Sequence, residues 1–233
     1  MSDMLLAFCA EHHIDLHCAE PMARHTTFRA GGYAAWYSAP ETRDQFVKLI
    51  RFSVSQGIEF RVIGNGSNLL VPDEGYDGLV IRTMPALDTI EWVDNTTLRA
   101  GAGALLSNVA VAAAARDMTG LEFAQGIPGT VGGAVFINAG AYGGEISQVL
   151  AQSECLTADG DMTVLPAAQH EFGYRTSVYK HDTSATVMSA DFTPQKGDPE
   201  KIRARMVELA ASRREKQPLE FPSAGSAFKR PEG

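Results

Sequence analysis

Arg175 sits in the run Phe172-Gly173-Tyr174-Arg175-Thr176-Ser177, between an aromatic ring and two hydroxyls. A guanidinium is planar and always charged, so in a cleft it clamps a carboxylate or stabilises negative charge that builds up during a reaction. The bland alternative is a surface arginine stacked on Tyr174. Ser226, in Pro222-Ser223-Ala224-Gly225-Ser226-Ala227-Phe228-Lys229, has small neighbours that leave its hydroxyl accessible. No Gly-x-Ser-x-Gly elbow surrounds it and no histidine follows it, which makes it a poor acyl-transfer nucleophile. As a proton donor it serves only a strongly basic centre, such as a carbanion or an enolate. Here the alternative is a plain serine-rich turn.

Two glycine-rich stretches are the candidate binding elements. Gly64-Asn65-Gly66-Ser67-Asn68 follows a short apolar run. It lacks the third glycine of a dinucleotide fingerprint, Pro72 and Gly75 interrupt the helix that should follow, and no Gly-Lys-Ser/Thr marks a P-loop. What remains is a tight turn with several backbone N–H groups and polar side chains, suited to a pyrophosphate. Gly126 to Gly144 carries seven of the 22 glycines, with Ile127, Val131, Val135, Phe136 and Ile137 between them. It reads as a buried loop moulded around a ligand, the alternative being a packing segment between two sheets. Thr26-Thr27-Phe28-Arg29-Ala30-Gly31-Gly32 offers hydroxyls and a cation to an anion, or is simply a turn entering a strand.

The elements that must position these groups alternate in type. Residues 3–10 suit a short helix, 41–57 an amphipathic helix stopped by Gly57, 104–116 an alanine-rich helix, and Asp198-Pro199 starts a basic helix running through Ile202, Met206 and Leu209 to Lys216. Strands are expected at 34–39, 60–63, 78–82 and 186–192, with hairpins through Asp94-Asn95 and Asp159-Gly160. The pattern predicts an α+β fold with mixed sheets, as two lobes around the glycine turns. Cys9, His13 and His17 recur at i, i+4 and i+8, but no fourth ligand accompanies them, and a solvated polar face rather than a metal site is expected.

Composition sets the compartment and the partners. With 45% hydrophobic and 21% charged residues the chain reads as an ordinary globular protein. A net charge of −8 disfavours nucleic acid as a partner. Three cysteines without a Cys-x-x-Cys pair suit free thiols in a reducing cytosol. The N-terminus has no basic leader pattern and no apolar run is long enough to span a bilayer, so a cytoplasmic protein without a membrane partner is expected.

Taken in order, Thr26-Thr27-Phe28-Arg29 with Gly31-Gly32, Gly64-Asn65-Gly66-Ser67-Asn68, Gly126-Ile127-Pro128-Gly129 with Val131-Gly132-Gly133, Tyr174-Arg175 and Ala224-Gly225-Ser226 with Phe228-Lys229 resemble the UDP-N-acetylenolpyruvoylglucosamine reductase family, in its compact type. The resemblance implies a two-lobed FAD-binding fold of the vanillyl-alcohol oxidase or PCMH type. It implies NADPH as co-substrate, UDP-N-acetylglucosamine enolpyruvate as substrate and peptidoglycan precursor synthesis as the setting. Gly64, Asn65, Gly66, Ser67 and Asn68, with Gly126, Ile127, Pro128, Gly129, Val131, Gly132 and Gly133, are then the FAD contacts. Arg175 matches the arginine that stabilises an enolate-like intermediate, and Ser226 the serine that protonates it. Tyr174 and Lys216 fall to the substrate.

On this resemblance, residues 1–83 and 84–217 are the two FAD-binding lobes and 218–233 begins a substrate-binding domain. That domain, with its catalytic glutamate, would lie mostly beyond Gly233, so a C-terminally truncated and inactive chain is the expectation. The alternatives are another FAD-dependent oxidoreductase of the same fold, with His25 as a flavin-linking candidate, or a non-catalytic flavin- or UDP-sugar-binding module.

Overall fold

The computed structural model describes residues 2–217 and 220–225. Helix α1 (Ser2–Glu11) leads into strands β1 (His17–Pro21) and β2 (Tyr33–Ser38), helix α2 (Arg43–Ser55), and strands β3 (Phe60–Ile63) and β4 (Tyr76–Arg82). These strands form a four-stranded sheet in the order β1-β2-β4-β3. It is mixed: β1 runs antiparallel to β2, while β2 and β3 both run parallel to β4. Helix α2 carries the chain from β2 to β3, and residues 64–75 join β3 to its parallel neighbour β4. Thr42 and Gln45 cap its N-terminus reciprocally in a capping box, worth about 1 kcal/mol. Gly57, at φ 63°, closes its C-terminus.

Strands β5 (Ile90–Trp92) and β6 (Leu98–Gly101) follow, then helix α3 (Leu106–Ala114), the short strand β7 (Met118–Thr119), helix α4 (Val131–Phe136) and the two-residue strands β8 (Gly140–Ala141) and β9 (Gly144–Glu145). Next come β10 (Leu150–Leu156), β11 (Met162–Pro166), the single-turn helix α5 (Val178–His181), β12 (Thr186–Phe192), β13 (Gln195–Lys196) and the long helix α6 (Pro199–Lys216). The second sheet has the order β11-β10-β12-β6-β5 and is antiparallel throughout. Every residue of β12 is buried, as its place between β10 and β6 requires. Asp198 caps α6 with bonds from Glu200 N and Lys201 N, Pro199 holds its first turn, and Arg213, Arg214 and Lys216 end it with charge that complements the helix dipole.

One core joins the two sheets. Phe46, Leu49 and Ile50 of α2 and Leu79 and Ile81 of β4 share it with Leu98 of β6, Val131 and Val135 of α4 and Phe192 of β12. Each large side chain buried there is worth about 1.5–3 kcal/mol of transfer free energy. Arg43 Nη2 to Glu154 (2.7 Å) and Arg51 Nε to the Gly160 carbonyl (2.8 Å) tie α2 to the β10–β11 hairpin.

Two expectations change. The stretch from Gly126 to Gly144 is not one continuous loop but contains α4 and the β8–β9 pair. Gly132 inside α4 packs its bare Cα on Ala102, where a Cβ would lie 2.9 Å from the alanine Cβ. Close packing against the end of β6 therefore overrides the low helix propensity of glycine. Helix α1 ends at Glu11, His13 adopts φ 54° and His17 lies on β1, so Cys9, His13 and His17 share no helical face. Among the described residues no group of histidine, cysteine and carboxylate side chains could hold a metal ion, and no helix is long and apolar enough to cross a membrane.

Candidate functional site

Strand β3 ends at Ile63 and the chain turns through Gly64–Asn68. Gly66 has φ 61°, and a Cβ there would lie 2.0 Å from the His25 carbonyl oxygen, so only glycine fits. A Cβ on Gly64 would lie 2.0 Å from Thr130 Oγ1. Asn65 Nδ2 donates to the Pro128 carbonyl at 2.8 Å, and Ser67 Oγ stands 3.4 Å from where a Cβ on Gly129 would be. The two glycine-rich segments, about sixty positions apart in sequence, are therefore packed against each other.

The amides of this junction are underused. Backbone N–H groups of Gly64, Asn65, Gly66, Ser67 and Asn68, and of Gly129 and Thr130, have no carbonyl partner among the described residues. Next to Gly126, Gln125 Oε1 is buried without a hydrogen-bond partner among them. Unpaired amides beside bare glycine Cα atoms are what an anionic, phosphate-bearing ligand would satisfy, and the orphaned carbonyl oxygen would take a donor from the same molecule. Ile127 packs against the core, Val131 is buried and Gly133 is exposed.

The segment around Thr27 closes over the first turn. Thr27 N donates to Gly66 O (3.1 Å), and Thr26 Oγ1 turns back onto the Ala30 carbonyl. Thr27 also exchanges two bonds with Ser223: its hydroxyl donates to the Ser223 carbonyl, and Ser223 N donates to the Thr27 carbonyl at 3.1 Å. A Cβ on Gly225 would be 3.6 Å from the Ser67 carbonyl oxygen. The Ser223–Gly225 segment thus lies on the first glycine turn. Ser226 itself lies outside the described residues. His25, the flavin-linking candidate, has its Nε2 bonded to Glu20 Oε1 at 2.9 Å and its ring stacked on Tyr37.

Arg175 occupies a left-handed position, φ 57°, in a turn where Gly173 and Thr176 exchange backbone bonds. Its Nη2 donates to the Gly140 carbonyl at 2.6 Å and its Nη1 to the Asn138 carbonyl at 3.3 Å. Asn138 is fully buried, donates from Nδ2 to the Gly173 carbonyl (3.1 Å) and accepts from Ser147 N (3.0 Å). Ser177 Oγ donates to the Phe136 carbonyl at 2.7 Å. The arginine turn is thereby fixed to the second glycine-rich segment, and part of the guanidinium fork remains for an anion. Tyr174 is half exposed, with the guanidinium carbon 5.3 Å from its ring centre.

Sequence reading missed Arg213. It continues the buried stripe of Ile202, Met206 and Leu209 at helical spacing, and its Cδ lies 3.0 Å from where a Cβ on Gly126 would be. No carboxylate pairs with it among the described residues, and burial pulls its pKa below the ordinary arginine value, with Tyr142 opposing that shift. A half-buried cation with no acid beside it among the described residues is a charge that an anionic ligand would offset. The signal was present in the 202, 206, 209, 213 spacing but was absorbed into a generally basic helix. Lys216, three residues on, is exposed at the helix end and makes no bond to either glycine segment or to the Arg175 turn.

Comparison with known proteins gives a consistent picture. The model of the FAD binding domain family matches residues 34–165. UDP-N-acetylenolpyruvoylglucosamine reductase of Clostridium botulinum (strain Alaska E43 / Type E3) is 48% identical over 212 residues, covering 91% of this chain and 69% of that protein. The enzyme of the same name from Lactococcus lactis subsp. cremoris is 46% identical over 214 residues, covering 92% and 71%. The crystal structure of UDP-N-acetylenolpyruvylglucosamine reductase from Thermus caldophilus superposes with a TM-score of 0.74 at 33% identity, over 94% of this chain and 75% of that one. Glucooligosaccharide oxidase from Acremonium strictum, at 14% identity and a TM-score of 0.59, shares the fold over 82% of this chain and 42% of its own.

Proposed function

The chain belongs to the UDP-N-acetylenolpyruvoylglucosamine reductase family and has the α+β FAD-binding fold of the vanillyl-alcohol oxidase type, and on that premise we propose that it binds FAD and uses NADPH to reduce UDP-N-acetylglucosamine enolpyruvate to UDP-N-acetylmuramate, in the cytoplasm, for peptidoglycan precursor synthesis. Residues 1–83 and 84–217 are the two lobes around the cofactor, and 218–233 begins the substrate-binding region. The observation that carries the reading is the junction of the two glycine turns, with its amides unpaired among the described residues and the Asn65–Pro128 bond.

Gly64–Asn68 and Gly126–Gly133 would hold the pyrophosphate through backbone N–H groups, a negative charge met by dipoles rather than by lysine. Bound FAD supplies hydride transfer. Arg175 holds the substrate carboxylate with the part of its fork not used by Asn138 and Gly140, and it stabilises the enolate charge that hydride addition places beside that carboxylate. Ser226 supplies the proton at the adjacent carbon. Arg213 adds a second cation toward the same anionic ligand, Tyr174 lines its approach, and Lys216, at the exposed end of α6, meets only its outer part. The chain aligns with 69–71% of the length of these relatives.

Titration of the purified chain with FAD, read by flavin absorbance and by the cofactor released on denaturation, tests the first half. A chain that binds FMN or no flavin would refute the reading. In an extended, active form, Ser226→Ala should leave flavin reduction by NADPH nearly intact and slow substrate-dependent reoxidation by about 10²–10⁴-fold. Equal loss in both half-reactions would assign Ser226 a structural role.

A further inference from the structure

Beneath the Arg175 turn lies a sealed polar network that the proposed reaction does not use directly. Ser153 on β10 is fully buried, and its Oγ lies 2.8 Å from His170 Nε2 and 2.7 Å from the Tyr179 hydroxyl. His170 and Tyr179 are equally enclosed, so this serine and histidine face no substrate. The bonds have one consistent direction. His170 Nδ1 lies 3.0 Å from the Pro166 carbonyl, which can only accept, so Nδ1 carries the proton and Nε2 accepts. Ser153 therefore donates to His170, and Tyr179 donates to Ser153. Burial pulls the imidazole pKa below its ordinary value, in keeping with a neutral ring.

The place of this network in the chain gives it its meaning. His170 immediately precedes the turn and Tyr179, on α5, immediately follows it. The feet of the turn are joined at the backbone by Val178 N donating to the His170 carbonyl at 2.7 Å. Between them, Glu171 and Arg175 both occupy left-handed conformations, φ 49° and 57°, which disfavour side-chain-bearing residues and persist only where the surroundings enforce them. Phe172 stacks on His170 with ring centres 4.9 Å apart. Single links from Ser177 and Asn138 fix the far side of the same turn.

We propose that Ser153, His170 and Tyr179 form a positioning clamp, in which one buried serine hydroxyl ties both feet of the Arg175 turn and so sets the direction of the guanidinium. This rests on the reading of Arg175 as the substrate-carboxylate clamp. None of the three touches the substrate. They act through Arg175, and the essential property of His170 is an accepting nitrogen at the Nε2 position.

Four variants of the FAD-loaded chain test it: Ser153→Ala, Tyr179→Phe, His170→Leu and His170→Gln, the last keeping an acceptor near the Nε2 position. The first readout is amide hydrogen exchange across 171–178. It should accelerate about tenfold or more in the first three, with α6 and the rest of β10 unchanged, and return close to the parent rate in His170→Gln. In an extended, active form, substrate-dependent reoxidation of the flavin should slow by about 10–100-fold in the first three, with FAD affinity and reduction by NADPH unaltered, and recover in His170→Gln. Exchange at 171–178 that stays at the parent rate, or that rises equally over the whole chain, would overturn the clamp. So would equal loss in His170→Leu and His170→Gln. A parent protein whose flavin does not respond to substrate would refute the function instead, and the exchange measurement would still decide the clamp.

Discussion

Asn138 and Arg175 hold each other's turns: the guanidinium donates to the Asn138 carbonyl, and the Asn138 side chain donates back to Gly173, two residues before the arginine. Both adopt left-handed backbone, φ 46° and 57°. Replacing Asn138 by Ala removes one of the two donors to the Gly173 carbonyl and leaves Ser147 N without its side-chain acceptor in a part-buried position. It should cost about 1–3 kcal/mol of stability. It should also slow the substrate half-reaction at least tenfold while sparing FAD binding, an order-of-magnitude effect of misaligning a positioned group. Denaturant melts and stopped-flow traces of the two half-reactions check it.

The glycine turns make a graded prediction. Gly66→Ala places a methyl group onto the His25 carbonyl, and Gly64→Val pushes on Thr130. Both should weaken FAD binding by about 30-fold or more, since roughly 2 kcal/mol of lost fit corresponds to that factor. Gly57→Ala is the control: it has the same hand of backbone, φ 63°, with nothing within 4 Å. It should cost about 1 kcal/mol of stability and leave FAD affinity unchanged. Calorimetric titration separates the cases.

Arg213 should trade stability against binding. A half-buried cation with no acid partner is costly to the fold, so Arg213→Met should leave the thermal midpoint unchanged or raise it, by the equivalent of about 0.5–1 kcal/mol. Affinity for the anionic substrate should fall at least tenfold, as expected for loss of about 1.4 kcal/mol or more from a charged contact. A lower midpoint without loss of affinity would make Arg213 a structural residue.

Asp191 predicts the acid limb of stability. Burial alone would raise its pKa, but bidentate hydrogen bonds from Arg99, a bond from Gln152 and the Arg99 charge outweigh it and hold the carboxyl below its usual value. A depressed folded-state pKa contributes stability that is fully present above the unfolded value, near about 4, and is lost as pH falls through the lower folded value. Asp191→Asn should lower stability at pH 7, by about 1–3 kcal/mol given that Arg99 is partly exposed, and should flatten its fall at low pH. Melts from pH 7 down to about 3 measure both effects.

Period and turn chemistry carried most of the fold into the sequence. Short runs read as strands marked β2, β3, β4 and β12, Asp94-Asn95 and Asp159-Gly160 marked the β5–β6 and β10–β11 turns, and Asp198-Pro199 marked the start of α6. Strand β1, His-Cys-Ala-Glu-Pro, was not legible, because a half-exposed edge strand needs no β-branched or aromatic residues when its partner β2 fixes the register. Helix α4 was hidden because Gly132 answers to Ala102, a neighbour that only the folded chain supplies. Both glycine turns and Arg175 were visible as residue types. Their meeting was not, since no local pattern encodes the contact between Asn65 and Pro128.

The paired bonds between Thr27 and Ser223 join residues 196 positions apart. A chain emerging from the ribosome completes Gly64–Asn68 long before Ser223 exists, so the segment that braces Thr27 over that turn arrives well after the turn itself. Local helices and hairpins form early, whereas a contact of such sequence separation waits until Ser223 has been made. Full bracing of the cofactor turn therefore follows the synthesis of Ser223, and a nascent chain released before Ser223 is made would leave the turn braced on one side only.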